Sequence, residues 1–299
     1  MHQPLLTALL NGDIKALARS ISLVENEAAG YERLLEDIPT AGHTRVIGVT
    51  GPPGAGKSTL VNALITFLLQ QGMRIAIIAV DPSSPFNYGA LLGDRIRMSQ
   101  HFGNDNVFIR SMASRGALGG LSPKIIEVSD IIKAARYDYL FIETVGVGQS
   151  EVEIAGIADT TVVVVVPEAG DEIQTMKAGL MEIADIFVVN KADRDSADEF
   201  VKNLRILAHT RQKENWEIPV LKTIATKEEG LSALVAAIDA HQQQTTLDNT
   251  HHALLLAEKA YQLLQHRRMR DISRRTLQQQ IAQELNNGTF NLYRFINTL

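Results

Sequence analysis

The sequence predicts an α/β fold with a mostly parallel central sheet flanked by helices and with helical extensions at both ends. Three observations predict it. From Arg45 onward, short apolar runs alternate with segments of helical length. Most of these runs are apolar throughout, as in parallel strands covered on both faces. A glycine-rich stretch, GPPGAGKST, stands between the first run and a helical segment.

The elements follow in order. Residues 1–42 form an N-terminal helical extension. PLLTALLNGD and IKALARSISLVEN carry apolar residues at spacings of three and four. Gly12 marks a turn between them and Asp13 an N-cap. DIPTAGHTR has the Pro and Gly of a linker. Residues 43–246 form the central domain. Its strands are expected in RVIGVT, MRIAIIAV, NVFIR, DYLFIET, DTTVVVVVP, DIFVVN and IPVLKT. Residues 247–299 lack strand signals. Leu254, Ala257, Tyr261 and Leu264 form one helical stripe, and Leu277, Ile281 and Leu285 another. Such stripes pack on the main domain or form an arm that buries itself in a second subunit.

Bulk properties narrow the class. The chain has 299 residues, 45% hydrophobic and 21% charged, with a net charge of -5. That balance gives no pull toward nucleic acid or an anionic membrane. There are no cysteines, so disulfides and thiolate metal sites are excluded. The N-terminus lacks a secretory pattern, and no apolar run is long enough to cross a bilayer. The expectation is a cytoplasmic enzyme or switch with no nucleic-acid or membrane partner.

The loop Gly51, Pro52, Pro53, Gly54, Ala55, Gly56, Lys57, Ser58, Thr59 fits the P-loop pattern, G-x-x-x-x-G-K-[ST]. Glycines let successive N–H groups turn toward phosphate oxygens, and the helix that follows adds positive potential. Lys57 is expected to reach the β- and γ-phosphates and the Ser58 hydroxyl to ligate Mg²⁺. The central domain is therefore predicted to be a P-loop NTPase.

Asn190, Lys191 and Asp193 close the strand DIFVVN as N-K-x-D. A carboxylate at Asp193 accepts from both donors on one edge of guanine. Adenine places an acceptor there and is repelled. Lys222 to Lys227, with Ile224, Ala225 and Thr226 within it, follow the next strand and could supply a backbone N–H to the guanine oxygen. Glu143-Thr144-Val145-Gly146 stands where many P-loop GTPases hold D-x-x-G, with the acid near the metal and the glycine sensing the γ-phosphate. Val147 takes the place of a water-positioning Gln, and Gln149 lies two residues on. Asp81 ends the second strand and Asp94 follows in LLGDRIRM. Arg97 and Arg115 are further candidates for stabilising transferring phosphate.

Together these blocks resemble the MeaB/ArgK-type GTPases, the G-protein chaperones of methylmalonyl-CoA mutase and related adenosylcobalamin-dependent acyl-CoA mutases. The resemblance rests on GPPGAGKST, VDPSSPF, GALLGDRIRM, ETVGVGQSE, GDEIQTMKAGLMEIADIFVVNKAD and ALARSISLVEN. It implies a Mg²⁺-dependent GTPase that binds GTP and GDP. It implies a homodimer with a C-terminal dimerisation arm, and a partner mutase whose assembly, cofactor loading and protection follow the nucleotide state. Matched by position, Lys57 and Ser58 hold phosphate and metal. Asp81, Asp94 and Glu143 form the acidic metal and switch cluster, with Lys57, Asp94 and Glu143 carrying the chemistry. Asn190, Lys191 and Asp193 read guanine. Lys177 falls in a further loop that responds to the partner. Three features depart from the pattern: Glu168 in place of glycine, Ile224-Ala225-Thr226 in place of Ser-Ala, and the tail FNLYRF.

Two other readings share the sheet and the loop. A nickel-inserting metallochaperone GTPase needs a Cys or His cluster, and the chain has no cysteine. A transport-linked ATPase or kinase would bind adenine, against which Asp193 argues.

Overall fold

A computed structural model describes residues 2–39, 43–81, 98–113, 121–144, 150–167, 178–210, 216–247, 249–269, 272–286, 288 and 290–298. The chain divides into two compact units, Met1–Leu255 and Leu256–Leu299.

The first unit is built on a sheet of seven strands among the described residues: β1 Arg45–Thr50, β2 Ile75–Asp81, β3 Val107–Ala113, β4 Tyr139–Glu143, β5 Thr160–Val165, β6 Ile186–Val189 and β7 Val220–Lys222. They lie in the order β3-β2-β4-β1-β5-β6-β7, and every pairing is parallel. Each predicted strand is present. The chain leaves β1 first toward β2 and β4 and later toward β5, so β1 sits at the point where strand order reverses. In open α/β sheets ligands bind beyond the carboxyl ends of strands at such a point.

Period-two alternation explains why the runs are apolar on both sides. Val162, Val164, Ile186 and Val188 pack with the helix Lys57–Leu69 on one face, as do Leu234 and Ile238 of the helix Leu231–Leu247. Val163, Val165, Phe187 and Val189 point the other way, into Phe200, Val201 and Leu204 of the helix Ala197–His209. Gly48 interrupts β1 for a packing reason. A Cβ there would stand 2.5 Å from Ile154 Cγ1.

The N-terminal helices, α1 His2–Leu10, α2 Ile14–Glu25 and α3 Tyr31–Asp37, belong to the first unit. Asp13 caps α2 as expected, accepting from the Ala16 N–H at 2.7 Å. Leu17, Ile21 and Val24 supply the buried stripe of α2, which packs against the helix Ile125–Ala134. Charged groups fasten both ends. At the start of α2, Arg74 donates to the Ala135, Arg136 and Gly12 carbonyls at 3.2, 3.2 and 3.4 Å, with its guanidinium 4.7 Å over the Tyr137 ring. At its far end Glu25 pairs with Arg110. Beyond it Lys124 meets Glu27 and Glu127, each at 2.9 Å. Burial alone would lower the Lys124 pKa, but the two carboxylates outweigh it and hold the ammonium above its usual range.

The helix Leu231–Leu247 is also pinned by polar groups. Asp239 pairs with Arg45 at 2.9 Å and accepts from the Tyr139 hydroxyl at 3.1 Å. Two residues on, His241 lies buried. Its Nδ1 is 2.9 Å from the Thr160 hydroxyl and its Nε2 is 3.4 Å from Asp185. Trp216 meets the His241 ring edge-on and donates to the Asp185 carbonyl at 2.8 Å.

The second unit contains the later part of the helix Asn249–Arg268, the helix Arg274–Asn286 and the short helix Leu292–Ile296. Leu256, Tyr261, Leu264, Leu285, Leu292 and Tyr293 are exposed on it. No described helix is long and apolar enough to cross a membrane.

Burial pushes the Tyr139 phenol from 10.0 up to about 12, with Arg45 opposing the shift and Asp239 adding to it. The folded state therefore holds this proton more tightly than the unfolded chain. The resulting stability is fully present below about pH 10 and is lost as pH rises through about 12. Tyr139→Phe is expected to flatten that part of the alkaline stability profile in chemical denaturation. An unchanged profile would show that the phenol does not titrate against folding.

Candidate nucleotide site

The glycine-rich loop leaves the end of β1 and enters the helix Lys57–Leu69, whose N-cap is Gly56. Gly51, Gly54 and Gly56 have φ of +136°, +78° and +87°, a region open mainly to glycine. Two of them also answer to sterics. A Cβ on Gly51 would come within 2.1 Å of the Val164 carbonyl oxygen, and one on Gly56 within 2.5 Å of the Asn190 Nδ2. Gly54 opens outward with nothing near the position of a Cβ. The Lys57 ammonium rests on the Gly51 and Pro52 carbonyls at 2.7 and 3.1 Å. Ala55 is buried, and Pro53 and Thr59 are exposed.

Ser58 and Glu143 meet on one face of the sheet. The Ser58 hydroxyl donates to Glu143 Oε1 at 2.5 Å, and both side chains are buried. The first turn of the helix thus touches the end of β4. Both groups offer hard oxygen, and this donor set fits Mg²⁺. Among the described residues no group of three His, Cys, Asp or Glu could hold a metal ion. Such sparse protein ligation is usual for Mg²⁺, which keeps waters and takes substrate phosphate oxygens. Asp81 ends β2, level with Ala113 of β3, and its side chain lies outside the description. Asp94, Gly146, Gln149, Arg97, Arg115, Glu168 and Lys177 also lie outside the described residues.

Asn190 directly follows β6 and is 2% exposed. Its amide Nδ2 donates to the Ala55 carbonyl at 3.0 Å. Its Oδ1 accepts from the Thr223 hydroxyl at 3.1 Å and from the Ala225 N–H at 3.2 Å. One side chain thereby joins the phosphate loop to the turn after β7. Lys191, with φ +55°, reaches over the loop to the Gly54 carbonyl at 2.9 Å. The Asp193 carboxylate stands half exposed, 3.8 Å from Lys227. Ile224 pairs with Glu229 through its backbone, the short 3₁₀ turn Ala225–Lys227 lies between them, and Thr226 is exposed.

The structure therefore brings together Gly51 to Ser58, Glu143, Asn190, Lys191 and Ala225. Thr223 lies in the stretch singled out in the sequence, but its side-chain bond to Asn190 was not foreseen. It is 1% exposed, ends the run IPVLKT and directly follows β7. A threonine at a strand end within that stretch was the available signal.

The residues from 17 to 284 match the family model described as methylmalonyl-CoA mutase-associated GTPase MeaB. The chain belongs to the MeaB family. It is a P-loop GTPase, and its nucleotide is accordingly a guanine nucleotide. A Pyrococcus horikoshii relative that carries a GTPase designation is 48% identical over 244 residues, covering 80% of this chain and 77% of the relative. The GTPase ArgK of Escherichia coli is 38% identical over 244 residues, covering 77% and 72%. The mouse methylmalonic aciduria type A homolog, mitochondrial, is 34% identical over 262 residues, covering 80% of this chain and 63% of that protein. The crystal structure of a LAO/AO transport system kinase superposes with a TM-score of 0.72 at 27% identity, covering 99% of this chain and 95% of the other. In this MeaB-family chain the phosphate loop and N-K-x-D follow the carboxyl ends of β1 and β6, parallel strands separated by β5.

Asn190→Ala would strand the buried Thr223 hydroxyl and Ala225 N–H. It is expected to cost about 1–3 kcal/mol of stability and to weaken GDP binding by about tenfold. Thermal denaturation and calorimetry check both. Unchanged affinity would mean that the phosphate loop does not need its tie to the turn after β7.

Proposed function

We propose that this chain is a Mg²⁺-dependent GTPase switch that serves an adenosylcobalamin-dependent acyl-CoA mutase of the methylmalonyl-CoA type, as a chaperone of its assembly, cofactor loading and protection. One observation carries the reading. The match to the mutase-associated family runs from residue 17 to 284, so it takes in most of α2 and much of the second unit as well as the nucleotide site. The name of the mouse relative points the same way. In this reading residues 1–42 are an extension, 43–246 the G domain and 247–299 the arm. The exposed Leu256, Tyr261, Leu264 and Leu285 would supply a homodimer contact.

The chemistry is positioning and charge neutralisation, with water as acceptor. Lys57 leaves the Gly51 and Pro52 carbonyls for the β- and γ-phosphates. Ser58 and Glu143 would hold Mg²⁺, which would supply charge neutralisation at the phosphates when bound. Asp81 and Asp94 complete the acidic set, and the Gly146 N–H senses the γ-phosphate. Asp193 reads the guanine edge with the Lys191 stem along the base. Asn190 secures the loops around it, and the Ile224–Thr226 turn offers its backbone to the guanine oxygen.

Asp193→Asn replaces one of two acceptors with a donor facing guanine's own donors. GTP affinity is expected to fall by about 100-fold or more, and calorimetry against GTP and ATP reads it. Retained guanine preference would remove Asp193 from its assigned role.

Purified mutase of the methylmalonyl-CoA type is expected to speed GTP turnover by this chain, by shifting the population of its nucleotide states. Turnover and nucleotide affinity that do not respond to the mutase would sink the chaperone reading and leave the GTPase intact.

A further inference from the structure

Thr50 and Thr144 stand behind the phosphate site. Thr50 is the last residue of β1, directly before Gly51, and Thr144 directly follows Glu143. The backbone register of β1 with β4 ends at Val49 beside Glu143. The two threonines come one step later. Thr144 donates its hydroxyl to the Thr50 hydroxyl at 2.9 Å and its N–H to the Val49 carbonyl at 3.1 Å. The hydroxyl bond thus carries the β1–β4 contact one residue past the end of the ladder.

Side-chain alternation separates this bond from the site itself. Val49 packs in the core beneath the helix Lys57–Leu69, and Glu143 reaches Ser58 of that helix. Thr50 and Thr144 point to the opposite face, the one on which Gly48 meets Ile154. Two side-chain bonds therefore clamp the phosphate loop to the end of β4, Ser58–Glu143 on one face and Thr50–Thr144 on the other.

The composition of the second bond is informative. Thr50 is 0% and Thr144 1% exposed. Two valines would fill the same volume without taking two hydroxyls out of water. Only the hydroxyls add a directional bond.

We propose that Thr50 and Thr144 are positioning residues for GTP hydrolysis, holding Glu143 in register with the phosphate loop. The proposal rests on the reading of Ser58 and Glu143 as the phosphate and metal site. Side-chain alternation turns both threonines away from the Ser58–Glu143 face, so both act through Glu143.

The test compares Thr144→Val, Thr144→Ser, Thr50→Val/Thr144→Val and Glu143→Gln in the full chain. Thr144→Val strands the Thr50 hydroxyl. It is expected to lower Tm by about 2–4 °C and kcat by about tenfold, with KM for GTP within about twofold. Thr144→Ser keeps both near wild type. The double valine variant strands no hydroxyl, so its Tm returns to about the wild-type value while kcat stays low. A purely structural role predicts that kcat recovers with Tm in the double variant, and that result overturns the proposal. A wild-type kcat in Thr144→Val overturns it as well. Glu143→Gln separates this failure from that of the underlying reading. Full hydrolysis by Glu143→Gln removes that reading and the proposal with it. Impaired Glu143→Gln beside a normal Thr144→Val removes the proposal alone.

Discussion

The nucleotide face depends on one buried amide. A parallel sheet delivers its loops separately, each from its own strand, and β1 and β6 do not touch because β5 lies between them. No backbone ladder can hold the phosphate loop against the turns that follow β6 and β7. The Asn190 side chain does so, with donors and an acceptor on one short stem and all three bonds buried. This also explains one glycine of the loop. Gly56 has the αL conformation expected of a phosphate cradle, yet its missing Cβ makes room for the Asn190 amide. The loop's sequence thus answers to a residue more than a hundred positions away as well as to its ligand.

The N-terminal helices are held differently. Their apolar stripe is short, and charged groups fix both of its ends: Arg74 with backbone carbonyls at one, and Glu25, Glu27, Lys124 and Arg110 at the other. A partly buried ion pair has to repay its desolvation through good geometry and additional partners. Lys124 has two carboxylates and the Tyr31 ring. Apolar packing alone would tolerate sliding along the helix axis, whereas these contacts admit one axial position. The extension is therefore registered to β3 and the helix Ile125–Ala134.

What was legible in the sequence was local. Seven β-branched runs became seven strands because central parallel strands have no solvent face to encode. Asp13 was readable as a cap because its partner lies three residues away. The phosphate loop and N-K-x-D were readable because each is contiguous. The joint between them was not, since it depends on where β1 and β6 lie in the sheet. Ile224 looked like a departure from the expected Ser-Ala. Its N–H and C=O engage the backbone of Glu229 at 3.1 and 3.3 Å, so the turn is closed by its own backbone. The apolar stripes of the last helices were also visible, but what covers them is not encoded in their own periodicity.

Trp216 is the only tryptophan in the chain, and its ring packs on the buried His241 at the end of the sheet opposite the phosphate loop. The protein thus carries a native fluorophore in a fixed polar setting, remote from any bound nucleotide. Direct quenching by a ligand is not a source of signal there. A change in intrinsic emission on adding GTP would report strain transmitted through β5, β6 and the helix Leu231–Leu247, and a constant emission would mark that end of the sheet as a rigid footing.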